Sequence, residues 1–161
     1  MGKYRFIMHE ENCINCKACE NVCRTTHDTA PGLWLGKLLY TTPEGKMEAQ
    51  VKFRACPQCN HAKCVSACPT GALIMRDLDG IVYVDVDKCT GCGLCLIACP
   101  HDLLWKDPRT GKIVKCDMCY ERMDQGLEPS CIASCPTNAL ELIERKPGEP
   151  LHKIHHKNDI K

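Results

Sequence analysis

Sixteen of the 161 residues are cysteine, and their spacing constrains the chain more than any other feature. The run Cys89-Thr-Gly-Cys92-Gly-Leu-Cys95-Leu-Ile-Ala-Cys99-Pro100 sets three thiols at i, i+3 and i+6 on one tight loop and a fourth after a short helical step. Three thiolates so spaced reach three corners of one iron–sulfur cube, and the fourth is offered to a different cube. Gly91 and Gly93 tolerate positive φ and let backbone amides turn towards the sulfurs. Pro100 redirects the chain and leaves no amide to satisfy. Zinc fits this run less well, because zinc ribbons separate two CxxC knuckles by a longer insert and one tetrahedral ion cannot use so many adjacent thiolates. A disulfide framework fits less well again.

The same grammar occurs three more times. Cys13, Cys16, Cys19 and Cys23 repeat it with identical spacing; Cys56, Cys59, Cys64 and Cys68 lengthen the second gap; Cys116, Cys119, Cys131 and Cys135 lengthen it further. Four groups of four use every cysteine, which implies four [4Fe-4S] clusters.

Two Phe, two Trp and four Tyr are available for a core. A chain so poor in aromatics buries little apolar surface, so cluster ligation is expected to supply much of its folding free energy and the cluster-free chain to be largely unfolded. The formal charge of +1 treats each thiol as neutral. Ligation removes sixteen protons and each oxidised cluster core restores roughly two charges, leaving about −7. An acidic protein without a basic face bearing interleaved aromatics is not expected to bind nucleic acid. Lys17, Arg24, Lys63, Lys88 and Lys115 lie beside ligand positions, where they either offset cluster charge or sit in solvent.

Alternation predicts a strand over Tyr4 to Met8, a turn at His9 to Asn12, and strands over Lys37 to Thr42 and Met47 to Phe53 forming a hairpin. Further hairpins are predicted over residues 71–86 and 103–115, and Ala139 to Ile143 would pair with the N-terminal strand. Arg24 stands where the other three groups have Pro69, Pro100 and Pro136, so the helix through Cys23 is free to continue towards His27. Trp34, in a loop, is expected to pack on its own domain. His27, His61 and His101 have no catalytic companion in the sequence. Residues 146–161 read as an extended tail, in which His152, His155 and His156 are solvated or lie against a partner rather than hold a metal. No apolar run is long enough to span a membrane, and residues 1–6 enter a strand pattern with neither a signal peptide nor a twin-arginine motif. A cytoplasmic location is therefore expected, with co-export alongside a signal-bearing partner as the alternative.

In a dicluster ferredoxin fold two ligand runs cross over, each lending its last cysteine to the other's cluster. The hairpin over residues 71–86 ties the second and third groups together. The fold expected is thus α+β, two bacterial dicluster ferredoxin-like units of small hairpins and short helices. The inner unit comprises residues 55–107; the outer comprises 1–54 and 108–145, with a hairpin insertion at about 37–53.

The four groups, their order and the long gap between Cys119 and Cys131 resemble the four-cluster iron–sulfur subunits of molybdopterin or tungstopterin oxidoreductases. These include the electron-transfer subunits of dimethyl sulfoxide, polysulfide and thiosulfate reductases, formate dehydrogenases, and the polyferredoxin subunit of tungsten aldehyde oxidoreductases. The resemblance, over roughly residues 3–145, implies one cluster on Cys13, Cys16, Cys19 and Cys135 and a second on Cys116, Cys119, Cys131 and Cys23. It implies a third on Cys56, Cys59, Cys64 and Cys99 and a fourth on Cys89, Cys92, Cys95 and Cys68. Nitrate reductase β subunits replace a third-group cysteine by Trp and hold a [3Fe-4S] centre; Cys92 is present here, so four [4Fe-4S] clusters are implied.

The function that follows is a non-catalytic electron wire between a Mo- or W-pterin catalytic subunit and a second redox partner. That second partner would be a flavin subunit, a membrane quinone-reactive subunit or another copy of the chain. A free-standing polyferredoxin serving a hydrogenase or another flavin or iron–sulfur enzyme is the alternative. A self-contained redox enzyme would need a flavin or nucleotide motif, and neither GxGxxG nor a P-loop is present. A purely structural cluster scaffold would hold clusters that are not reversibly reduced.

Overall fold

The computed structural model describes residues 2–42, 44–45, 47 and 49–146, so the tail with His152, His155 and His156 lies outside the described residues. Among the described residues the architecture is mixed, with short helices and strands that pair only in twos. Strand β1 (Tyr4–Met8) runs antiparallel to the last strand, β8 (Leu140–Glu144), in a register from Tyr4↔Glu144 to Met8↔Leu140. Between them, β2 (Gly36–Thr41) pairs with β3 (Gln50–Ala55), β4 (Leu73–Met75) with β5 (Val82–Val84), and β6 (Leu104–Lys106) with β7 (Ile113–Lys115).

The helices are the connections between cysteines: α1 (Ala18–Thr26), α2 (Lys63–Ser66), α3 (Leu94–Ala98), α4 (Tyr120–Asp124) and α5 (Ser130–Ala133). A proline after the last cysteine follows α2, α3 and α5, and each of these helices spans four or five residues. Helix α1 has Arg24 there instead and reaches nine. The Arg24 guanidinium lies 4.6 Å from the centroid of the half-buried Trp34 ring, so the missing proline also supplies a cation–π contact that anchors the following loop.

Several strand limits differ from expectation by a few residues. The turn expected at residues 9–12 is there, as a single 3₁₀ turn, Glu10–Asn12. Strand β3 begins at Gln50 rather than Met47. Strand β5 ends at Val84 because Asp85 Oδ1 accepts the Asp87 amide at 3.1 Å, a side-chain turn that competes with the ladder.

Cysteines are built into all three apolar cores. One core joins Leu73, Val82, Leu104 and Ile113 to Cys89 and Cys95. A second joins Leu35, Ile81 and Met118 to Cys23, Cys56 and Cys116. The third joins Leu38, Val51, Ile132 and Leu140 to Cys19 and Cys131. The second and third are linked through an edge-to-face pair, Phe6 on Phe53, with centroids 5.6 Å apart. Polar ties reinforce so thin an interior. Arg76, beside the β4–β5 turn, lies 4.8 Å from the Tyr120 ring centroid and donates to Asp124 on α4 at 2.6 Å. No described helix is long and apolar enough to cross a membrane.

Glu20 is 3% exposed, and its Oε1 accepts the Leu38 amide at 2.6 Å, pinning the β2–β3 hairpin to α1. Replacing it by Ala leaves a buried amide without that acceptor, which costs about 1–3 kcal/mol. Glu20→Ala is therefore expected to lower the unfolding midpoint of the loaded protein in chemical denaturation, while Glu20→Gln, which keeps the acceptor, loses much less. Equal midpoints for Glu20→Ala and the parent would refute this.

Candidate iron–sulfur sites

In each of the four loops the residue before the second cysteine is left-handed: Asn15 at φ 58°, Gln58 at 54°, Gly91 at 68° and Met118 at 55°. That inversion turns the second thiol back towards the first. Lys17, Gly93 and Cys119 are left-handed as well and start α1, α3 and α4. In the three groups that end in Cys-Pro, the third residue beyond the cysteine is again left-handed, as Gly71, Asp102 and Asn138. This turn brings an amide onto sulfur at Cys135, where Ala139 N–H donates to Sγ at 3.2 Å, while at Cys89 the donor comes from β7, Ile113 N–H at 3.4 Å.

All sixteen cysteines are free thiols, gathered from separate parts of the chain. Cys68, Cys89, Cys92 and Cys95 line one hollow. Cys56, Cys59, Cys64 and Cys99 line another. Each hollow thus contains the last cysteine of the other hollow's run. Elsewhere Cys19 lies within electrostatic reach of Cys13 and Cys135, with exposed Cys16 on the same loop. Cys23 is within reach of Cys119, and both Cys116 and Cys131 are within reach of Cys23.

Thiols of neighbouring sets lie within electrostatic reach of one another and order the sets in series. Cys19 is within reach of Cys23 and Cys131, Cys116 of Cys56, and Cys64 of Cys95. The two exposed cysteines, Cys16 and Cys92, belong to the first and last sets of the series.

The donor chemistry fits iron–sulfur clusters. Burial pushes the thiols of Cys19, Cys59 and Cys95 up to about 11 and that of Cys23 up to about 12, and it holds Cys116 and Cys131 well above the ordinary thiol value. Such groups are neutral at pH 7 unless a cationic centre holds them as thiolates. At Cys68 burial also acts upwards, but amides of Leu73, Ala72 and Thr70 and the Thr70 hydroxyl outweigh it and bring the thiol below its ordinary value. Cys135 behaves alike, with amides of Thr137, Ala139 and Leu140.

Three residues near the sulfurs are not ligands, and the sequence marks only Lys115 among them, by its place beside Cys116. Gln58 is 1% exposed; its Nε2 donates to the Cys116 carbonyl at 2.9 Å and its Oε1 accepts the Val82 amide at 2.9 Å, joining the second cysteine loop to the fourth. His27 Nε2 lies 3.4 Å from Cys119 Sγ and 3.7 Å from Asp117 Oδ1. The Cys119 sulfur raises the imidazole pKa above its ordinary value, and the Cys119 thiol is held low in spite of burial because His27 is there. His27, Asp117 and Cys119 present ligand atoms close enough to hold an ion, but Cys119 also faces the thiols of Cys23 and Cys131. A hydrogen bond from imidazole to sulfur accounts for the contact. The third residue is Lys115, buried between two of the sets.

Residues 47–145 match a family model described as a 4Fe-4S dicluster domain. The chain belongs to that family. A 4Fe-4S binding domain model also matches residues 10–26. Relatives include the thiosulfate reductase electron transfer subunit PhsB of Salmonella typhi, 38% identical over 145 residues that cover 87% of this chain and 75% of the relative. The polysulfide reductase B subunit of Wolinella succinogenes is 37% identical over 161 residues, covering 96% of this chain and 83% of the relative. Protein NrfC of Escherichia coli is 36% identical over 143 residues, covering 86% and 64%.

A Cβ at Gly91 would sit 2.0 Å from the Gly111 carbonyl oxygen, a contact that only a shift of the β6–β7 turn can relieve. Gly91→Ala is expected to lose the iron held by the Cys89 loop, measured as a fall in iron per chain. Exposed Lys17 has the same handedness without that neighbour. Lys17→Gly removes a strain of about 1 kcal/mol and leaves iron content unchanged. Full iron content in Gly91→Ala would contradict the close approach.

Proposed function

We propose that the chain is an iron–sulfur electron-transfer subunit that relays electrons between a Mo- or W-pterin catalytic subunit and a second redox partner. The observation that carries this reading is the series of four thiol sets with one exposed cysteine at each end. The proposed ligands are Cys13, Cys16, Cys19 and Cys135 for one [4Fe-4S] cluster; Cys116, Cys119, Cys131 and Cys23 for the next; Cys56, Cys59, Cys64 and Cys99 for the third; and Cys89, Cys92, Cys95 and Cys68 for the fourth. When bound, each cluster accepts and releases one electron at a time. The thiols fix the clusters in series, the amides on Cys89 and Cys135 stabilise charge on sulfur, and the three cores keep water from the middle sets.

The reading includes two dicluster ferredoxin-like units, an outer one of residues 1–54 and 108–145 and an inner one of 55–107. The hairpin Leu104–Lys115 crosses that boundary, and its Ile113 packs in the core of Leu73 and Val82. The relatives' printed roles, as subunits of a thiosulfate reductase and a polysulfide reductase, support a catalytic subunit as one partner. A flavin subunit, a membrane quinone-reactive subunit or a second copy of the chain is the other, and the cytoplasm is the proposed location.

Two experiments test this. Cys23→Ala is expected to remove the cluster of Cys116, Cys119 and Cys131 and to leave that of its sequence neighbours, as followed by electron paramagnetic resonance; loss of the neighbours' cluster alone would reverse the crossover. By resemblance, the end with Cys13 and Cys135 lies towards the catalytic subunit and the end with Cys89 and Cys68 is distal, so in the purified complex Cys92→Ala is expected to leave dye-linked activity of the catalytic subunit intact and to abolish electron exchange with the second partner. Unchanged exchange, in a variant shown to lack that cluster, would take the Cys89 end out of the path.

A further inference from the structure

Lys115 is 4% exposed, a degree of burial that lysine rarely reaches without a counter-charge. Its Nζ donates to the carbonyls of Val82 and Cys116, the latter at 2.7 Å, and lies 3.5 Å from Gln58 Oε1. These three acceptors are neutral. They satisfy the ammonium's three N–H donors but leave its charge uncompensated. The other basic residues beside ligand positions are less buried: Lys17 and Lys63 are exposed, although Lys63 lines the same hollow as Lys115. Lys88 is 56% exposed and has its own carboxylate, Asp85, at 2.8 Å. Arg24 lies on Trp34. Lys106 and Lys112 reach round to the carbonyls of Gly91 and Cys89, in the loop of an end set.

The position of Lys115 identifies what its charge faces. Its side chain lines the hollow of Cys56, Cys59, Cys64 and Cys99, while its backbone carries Cys116, the first thiol of the neighbouring set. Sulfur on both sides, at Cys64 and at Cys116, is within electrostatic reach of its charge. Four thiolates around an oxidised cluster core leave a net negative charge of roughly two, and one more on reduction. In an interior of low dielectric, a cation at this point is attracted most strongly by the most reduced state.

We propose that Lys115 is the shared counter-ion of the two middle clusters, held between them by Gln58 and the Val82 and Cys116 carbonyls, and that it raises both reduction potentials relative to a neutral side chain. It is a positioning and tuning residue rather than a ligand. It makes the two central steps of the relay accept electrons more readily without affecting the ends. This rests on the cluster reading above, so iron and acid-labile sulfide are measured in each variant before any potential.

The test is a redox titration of the loaded protein followed by electron paramagnetic resonance, with the end-set signals assigned from Cys16→Ala and Cys92→Ala. In Lys115→Met and Lys115→Gln the reduced-to-oxidised ratio of the two middle clusters at fixed potential is expected to fall about tenfold or more, a midpoint shift of 59 mV per tenfold for a one-electron couple. The end clusters stay where they were, Lys115→Arg keeps the parent potentials, and Lys88→Met, which removes an exposed and already paired charge, changes none of the four. A loaded neutral variant with unshifted middle potentials overturns the proposal, as does a uniform shift of all four clusters. If neither neutral variant loads the middle sets, Lys115→Arg decides. Loading with parent potentials upholds the counter-ion role, and failure to load reduces Lys115 to a packing group. Four-cluster stoichiometry missing from the parent protein would instead sink the ligand reading itself.

Discussion

Convergence of sulfur atoms on a common point is the constraint from which the rest of this structure follows. Three thiols within seven residues can face one place only if the backbone reverses its hand between them, and it does so at Asn15, Gln58, Gly91 and Met118. Glycine meets the requirement without strain and exposed Asn15 with little, while Gln58 and Met118 are held there by their surroundings. Gln58 and Met118 are each 1% exposed, so packing and hydrogen bonds over-determine a conformation that neither side chain favours alone. Short helices and two-stranded ladders are what is left once the loops have been fixed.

The cores show how an interior with few large side chains is completed. Cysteine is a small, soft hydrophobe when protonated, and here it lies in the same clusters as Leu73, Ile81 and Leu140. Between the clusters the chain relies on directed polar contacts: Glu20 on the Leu38 amide, Gln58 on Cys116 and Val82, Arg76 on Asp124. Each is worth less than a buried Phe but fixes one geometry, and geometry is what a set of ligands needs.

Much of this was legible in the cysteine spacing and in simple alternation. The hairpins, the pairing of the first and last strands and the continuation of α1 past Cys23 follow from local rules that operate within a dozen residues or between two apolar strands. Strand ends were less legible, because Asp85 terminates β5 with a side-chain hydrogen bond that alternation cannot register. The roles of Gln58 and His27 were not legible at all. Each depends on a partner far away in sequence, such as Cys116 for Gln58 and Cys119 for His27, and nothing in the residue itself marks it. Lys115 was visible as a neighbour of a ligand, but its burial comes from Val82 and Gln58, which the fold brings to it from 33 and 57 positions away.

The pairing of β1 with β8 sets an order on biosynthesis. Domains usually fold from the N-terminus as they emerge from the ribosome, but Phe6 has no ladder partner until Leu142 has been made. The hairpins β4–β5 and β6–β7 close locally and are complete while β1 is still an unpaired edge, a form of strand prone to wrong association. Synthesis therefore assembles the molecule from the middle outwards. Tyr4 to Met8 are among the last residues to find their place, and a chain interrupted before residue 140 presents a bare strand with the first cysteine loop directly behind it.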